Sequence, residues 1–81
     1  MTKIKVIKEK PTLKEMQKFV GGLIEVVYLN DDEVMIIDEE GKVKGKPVNP
    51  QGTIIAFQNR AIFGYDWIAG DAIIMDKEFL D

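Results

Sequence analysis

The sequence predicts a compact α+β domain of element order β-α-β-β-α-β, with one or two short helices packed on one face of a mostly antiparallel sheet. Three observations lead there. A segment with capping-box spacing ends in a glycine pair, an Ile/Val-rich hairpin follows it, and an Asn-Pro start precedes a last apolar run. All 81 residues are read as one domain, 1–81.

Lys3 to Lys8 alternate well enough for a strand, with Ile4 and Val6 inward and Lys3 and Lys5 outward. Pro11 ends it. Thr12 and Glu15 then stand at capping-box spacing, where hydroxyl and carboxylate each accept a hydrogen bond from the other residue's backbone N–H. Leu13, Met16 and Val20 recur at helical spacing and Phe19 widens the apolar stripe. Gly21-Gly22 stops this helix, because glycine takes the left-handed conformation without a steric cost.

Leu23 to Leu29 reads as a strand, Asn30-Asp31-Asp32 as a turn, and Glu33 to Asp38 as the returning strand of a hairpin. A second turn, Glu39-Glu40-Gly41-Lys42, leads through Val43 to Pro47. At 49–58 two signals compete. Asn49 before Pro50 is a helix start, and Ile54, Phe57 and Ala61 fit one helical face. Gly52 and the Thr53-Ile54-Ile55 run favour a strand instead. A short helix is expected. A loop over 59–66, a strand centred on Ala72-Ile73-Ile74-Met75 and a partly exposed tail from Asp76 to Asp81 complete the order.

Composition narrows the chemistry. The chain has no cysteine and no histidine, which excludes thiol nucleophiles, imidazole bases and zinc, haem or iron–sulfur ligand sets built on them. No disulfide can form, in keeping with a reducing compartment. The apolar runs fall well short of the roughly 20 residues that cross a bilayer, and no signal-peptide stretch follows the basic start. A cytoplasmic location without membrane contact is expected. A net charge of −3 argues against general duplex nucleic-acid binding, which phosphate neutralisation drives. The charge is uneven, however. Residues 1–20 hold six lysines against two glutamates, whereas residues 21–81 hold five bases against twelve acids. The basic first quarter would either present a local anion-binding face or keep an edge strand and helix surface soluble.

Four stretches stand out together: Leu13-x-x-Met16-Gln17-x-x-Val20-Gly21-Gly22-x-Ile24-Glu25, Asp38-Glu39-x-Gly41-Lys42, Pro47-x-Asn49, and Asp66-x-Ile68-x-Gly70-Asp71. In this order they resemble a small family of unknown function found largely in phages, plasmids and the bacterial genomes carrying them. The resemblance covers residues 3–75 and departs at Pro50 to Thr53, where similar sequences often have a more helix-friendly polar run. It implies a mobile-element setting and a compact α+β fold, and brings no established catalytic site.

Acidic clusters at Asp31-Asp32-Glu33 and Asp38-Glu39-Glu40 lie near opposite ends of one strand, at about 3.3 Å rise per residue, so a shared metal ion is not expected. Gly21-Gly22 follows a helix and forms no dinucleotide-binding or Walker motif. The helix start at Asn49 to Thr53 offers free N–H groups to an anion, with Lys42, Lys44 and Lys46 before it and Arg60 beyond. The favoured reading of those lysines is instead a solvated, twisted hairpin arm. Gln58-Asn59-Arg60 followed by Phe63, Tyr65 and Trp67 supplies amides, a guanidinium and three rings, the groups that hold a nucleotide. The same stretch also has the look of a core-closing loop with Phe63 and Trp67 as hydrophobic plugs, and the balance favours packing.

With no catalytic equipment in view, the expected function is non-enzymatic. One reading is a phage-type sponge that sequesters a nucleotide immune messenger, either a cyclic dinucleotide or oligonucleotide or an ADP-ribose derivative, without a cofactor. Its site would use Arg60, Trp67, Tyr65, Asn49, Thr53, Asn59 and Lys46. So short a chain has little room for a private pocket, so a homo-oligomer is expected. The other reading is an acidic interaction module, in which residues 25–40 dock on a basic host or phage protein and inhibit it, by blocking or by nucleic-acid mimicry.

Overall fold

A computed structural model describes residues 1–80. Strand β1 (Ile4–Val6) leads to helix α1 (Leu13–Val20), then to the hairpin β2 (Ile24–Tyr28) and β3 (Glu33–Asp38). Helix α2 (Pro50–Gln58), strand β4 (Ala72–Asp76) and a 3-10 turn (Lys77–Leu80) follow. The order β-α-β-β-α-β is as the sequence predicts. The sheet runs β1-β4-β3-β2. Its β2–β3 and β3–β4 pairs are antiparallel, with Val26 opposite Ile36 and Met35 opposite Ile74, and β1 joins β4 in parallel.

Both end signals of α1 are realised, and its apolar stripe in part. The Thr12 hydroxyl accepts from the Glu15 N–H at 3.1 Å, and the Glu15 carboxylate accepts from the Thr12 N–H at 2.9 Å. Gly21 takes φ 86° and, with Gly22, returns its N–H to the Gln17 carbonyl. Met16 and Val20 are buried, whereas Leu13 is exposed.

The expectation that both helices share one face is corrected. Met16 and Val20 of α1 pack with Val34, Ile36, Ile73 and Met75. Ala56 of α2 belongs to a separate cluster with Met35, Ile37, Ala72 and Ile74, the alternate residues of the same strands. The helices therefore cover opposite faces. The reason lies in β3 and β4, which are apolar at every central position and would leave one hydrophobic face in water under a one-sided arrangement.

The segment 49–58 is helical, begun by Asn49 as N-cap and Pro50 in the first turn. Its buried side differs from the expected one. Gly52 and Ala56 face inward, while Ile54 and Phe57 are exposed. A Cβ on Gly52 would stand 3.2 Å from Asn49 Cγ and 3.3 Å from Ile68 Cγ2, so this helix turns its smallest residue toward the core. Val6 is likewise exposed, not inward. It lies in a shallow apolar groove with Ile4, Ile54 and Ile74 that α2 does not cover. At the tail, Phe79 and Leu80 pack on the α1 side; Asp81 lies outside the described residues. No helix among the described residues is long and apolar enough to cross a membrane.

Candidate functional site

The turn after β3 sorts three lysines into two directions. Residues 39–45 form consecutive tight turns, with Lys44 N–H on the Glu40 carbonyl and Lys46 N–H on the Gly41 carbonyl. The favoured expectation of a solvated hairpin arm is corrected in its shape: the backbone bonds close the segment on itself, although residues 42–45 are exposed as expected. Lys44 and Lys46 reach the Asp38 carboxylate at 2.9 and 2.8 Å, and that carboxylate has no exposed surface. The same ammonium groups donate to the Gly21 carbonyl at 3.1 Å and the Val20 carbonyl at 2.6 Å. They therefore sit at the C-terminus of α1, where its dipole favours cations. Gly22 makes room for this arrangement, since a Cβ there would lie 2.8 Å from Asp38 Oδ1. Burial would raise the Asp38 pKa, but hydrogen bonds from Lys46, Lys44 and the Glu40 N–H outweigh it and hold the carboxyl at about 2.

Lys42 goes the other way. Its ammonium pairs with Asp66 and rests 4.3 Å from the centre of the Trp67 ring. The Trp67 N–H donates to the same Asp66 oxygen at 2.7 Å. The Lys42 hydrogen bond, followed by that of Trp67, lowers the Asp66 pKa. This pair overlooks a cleft of about 230 Å³ on the α2 side of the sheet, with Ile37 and Val27 among its apolar lining. Glu25 and Glu39 line it too, and neither has a basic partner among the described residues. Asp38 is more than balanced by its two lysines, but the three remaining carboxylates, Glu25, Glu39 and Asp66, outnumber Lys42 and that one surplus charge together. The cleft is acidic.

The residues expected to hold an anion do not assemble there. Asn49 is buried; its Oδ1 accepts from the Gly52 N–H, and its Nδ2 donates to the Lys3 and Gly70 carbonyls at 3.1 and 2.9 Å. The Thr53 hydroxyl donates to the Asn49 carbonyl at 2.8 Å and accepts from the Ile68 N–H at 2.9 Å. Lys46 is committed to Asp38. Asn59 donates to the Ile55 carbonyl and accepts from the Asn30 amide. Arg60 follows it with φ 57°, in the left-handed conformation that closes α2. Asn49 and Arg60 thus stand at opposite ends of a helix about 14 Å long.

The rings are a different matter. Phe63 is 71 %, Tyr65 82 % and Trp67 42 % exposed, so they do not plug the core as the favoured reading of this loop has it. Phe63 and Tyr65 stack on each other, with centroids 5.7 Å apart. The loop is held from below by Ile62 and Ile68, which leaves the larger side chains to solvent. Reading the sequence alone missed Glu25, Glu39, Lys42 and Asp66 as neighbours. Their signal was indirect: they fall in three of the four stretches that carry the family resemblance.

The two acidic clusters do lie at opposite ends of β3, as the strand rise requires. Asp31 and Asp32 share their end with Asp76 and Glu78, far from Glu39. Among the described residues no group of three or more acidic, His or Cys side chains is gathered to hold a metal ion. The chain belongs to the family described as a domain of unknown function (DUF3846), which matches residues 1–79. Neither a curated protein nor a solved structure matches it.

Proposed function

We propose that this domain is a non-catalytic interaction module that docks a basic segment of a partner protein and inhibits that partner in a phage-type, cytoplasmic setting. The observation that carries this reading is the acidic 230 Å³ cleft lined by the part-exposed Trp67, whose loop also presents Tyr65 to solvent. Exposed Trp and Tyr are the side chains that anchor protein interfaces. The cleft is smaller than the roughly 300–1,000 Å³ of small-molecule sites and suits a single side chain. Its surplus of carboxylates attracts a cation and repels phosphate.

A hexalysine peptide provides the test, titrated by calorimetry at low and physiological salt. Binding should weaken at least tenfold in the Glu25→Lys, Glu39→Lys double variant, and should change little in Asp31→Lys, Asp32→Lys, whose charges sit at the other end of β3. Equal losses in both variants, or no binding to the wild type, would reject the cleft as the docking site.

A second reading, sequestration of a nucleotide messenger, has its own observation. A groove of about 440 Å³ between β1 and α1 is lined by Lys5, Lys8 and Lys10, with Phe19 alongside and Glu9 and Glu15 in its wall. Lysines and an aromatic ring are what a nucleotide needs, and the volume is adequate. On this reading the ligand sits in the basic first quarter and not on the 58–67 loop, and a homo-oligomer completes the groove. Calorimetry with cyclic dinucleotides and ADP-ribose should show tight binding lost in Lys5→Glu, Lys8→Glu. Absence of heat with all of them sinks it.

A further inference from the structure

The Lys42 contact has the form of a ligand already in place. An ammonium over an indole face, paired with a carboxylate whose second hydrogen bond comes from the backbone, is how proteins hold a cationic side chain from outside. Here the cation comes from the chain's own turn. Lys42 and Asp66 are both partly exposed, at 45 % and 32 % of their side chains, so this pair contributes little to stability and can open at little cost. The turn carrying Lys42 is fixed independently through Lys44, Lys46 and Asp38, so release of one ammonium does not require the turn to unfold.

We infer that the Trp67–Asp66 corner is a receptor for the guanidinium of a partner's arginine, and that Lys42 is a resident occupant which this arginine displaces. The inference rests on the docking reading above and specifies its central contact. Arginine suits the corner better than lysine does. Its planar, weakly hydrated guanidinium stacks flat on an indole and offers paired donors to a carboxylate, and Glu25 and Glu39 give the displaced Lys42 nearby counter-charges. The device sets a threshold. A weakly basic surface that cannot outcompete a tethered lysine is refused, and an arginine held by other contacts is accepted.

Trp67 is the single tryptophan, so its fluorescence reports directly on the corner. The experiment titrates hexaarginine and hexalysine peptides into the wild type and into Lys42→Met, with thermal unfolding confirming that the variant is folded. Lys42→Met should bind hexaarginine about fivefold or more tightly, because the competing occupant is gone. Adding Asp66→Asn to Lys42→Met should cancel that gain, and Lys14→Met, which removes a distant charge, should leave affinity unchanged. If Lys42→Met and Lys14→Met tighten binding equally, the gain is general electrostatics and the inference fails while docking stands. If hexaarginine binds both proteins with one affinity and no change in Trp67 emission, the corner is not the receptor. If neither peptide binds the wild type or Lys42→Met, the docking reading falls as well.

Discussion

Two carboxylates draw on lysines from the same five-residue stretch and end up in different roles. Asp38 is sealed at the junction of β3, the turn and the end of α1, where two ammonium groups and a backbone N–H surround it. Asp66 sits on an open loop with one partly exposed ammonium and an indole. The chemistry is alike and the burial is not. A pair that loses its water must keep its partners to persist, and a pair still in water is free to exchange them. Asn49 belongs with Asp38 by this criterion, and Tyr65 and Trp67 belong with Asp66.

Substitutions can break or sharpen this division. The largest loss should come from Asn49→Ala, which removes the cap of α2 and strips a buried donor from the Lys3 and Gly70 carbonyls. About 3 kcal/mol is expected in urea unfolding, and a loss under 1 kcal/mol would place Asn49 outside the sealed class. Asp38→Asn should follow at about 2 kcal/mol, reduced from a fully buried pair because both lysines retain solvent contact.

The Asp38 difference should also depend on pH. Its carboxyl is held at about 2 when folded against an ordinary 3.8. The ionised form is thus bound more tightly by the fold, and the contribution is complete above pH 4. It disappears as pH falls from 4 toward 2. The stability gap between wild type and Asp38→Asn should therefore narrow over that interval in acid titrations followed by circular dichroism. A gap that stays constant to pH 2 contradicts the assignment.

Smaller effects belong to the open side. Arg60→Gly should stabilise the protein by up to about 1 kcal/mol, because glycine accepts φ 57° without the steric cost arginine bears. It should leave hexalysine binding within twofold, since Arg60 does not line the cleft. Asp66→Asn should shift stability by less than about 0.5 kcal/mol while changing Trp67 emission, a combination the sealed residues cannot produce.

Most of the fold was legible because its signals are local. Thr12 with Glu15, Gly21, and Asn49 with Pro50 each specify a helix end through hydrogen bonds within a few residues. The opposite placement of the helices was also encoded, in the unbroken Val34-Met35-Ile36-Ile37 and Ala72-Ile73-Ile74-Met75 runs, which alternation-based reading treats as ordinary strands. The site was less legible. Lys42, Lys44 and Lys46 alternate in the sequence as an extended arm would, and only the closed turn reveals that one of them faces away from the other two. Asn49 and Thr53 carry the groups an anion needs, but a helix start and a ligand ask for the same atoms, and here the helix and the core have taken them. Glu25 and Asp66 are 41 residues apart, so their meeting is a product of tertiary packing.

The two-sided cover of β3 and β4 has a consequence before folding is complete. The centre of each strand, Val34-Met35-Ile36-Ile37 in β3 and Ala72-Ile73-Ile74-Met75 in β4, is a short, uncharged, apolar run of the kind that pairs with its own copies when exposed. In the folded chain both lie inside the sheet, between β1 and β2. In a nascent or partly unfolded chain they are open to self-association, and the residues around them then matter. Asp31-Asp32-Glu33 and Asp38-Glu39-Glu40 bracket the first run, and Asp71 and Asp76-Lys77-Glu78 bracket the second. Those acids are placed as gatekeepers are, with like charges at the ends of each apolar segment that would make stacked copies repel. Neutralising Asp31, Asp32, Asp76 and Glu78 together should thus lower soluble yield without a matching fall in the unfolding temperature of the protein that does fold.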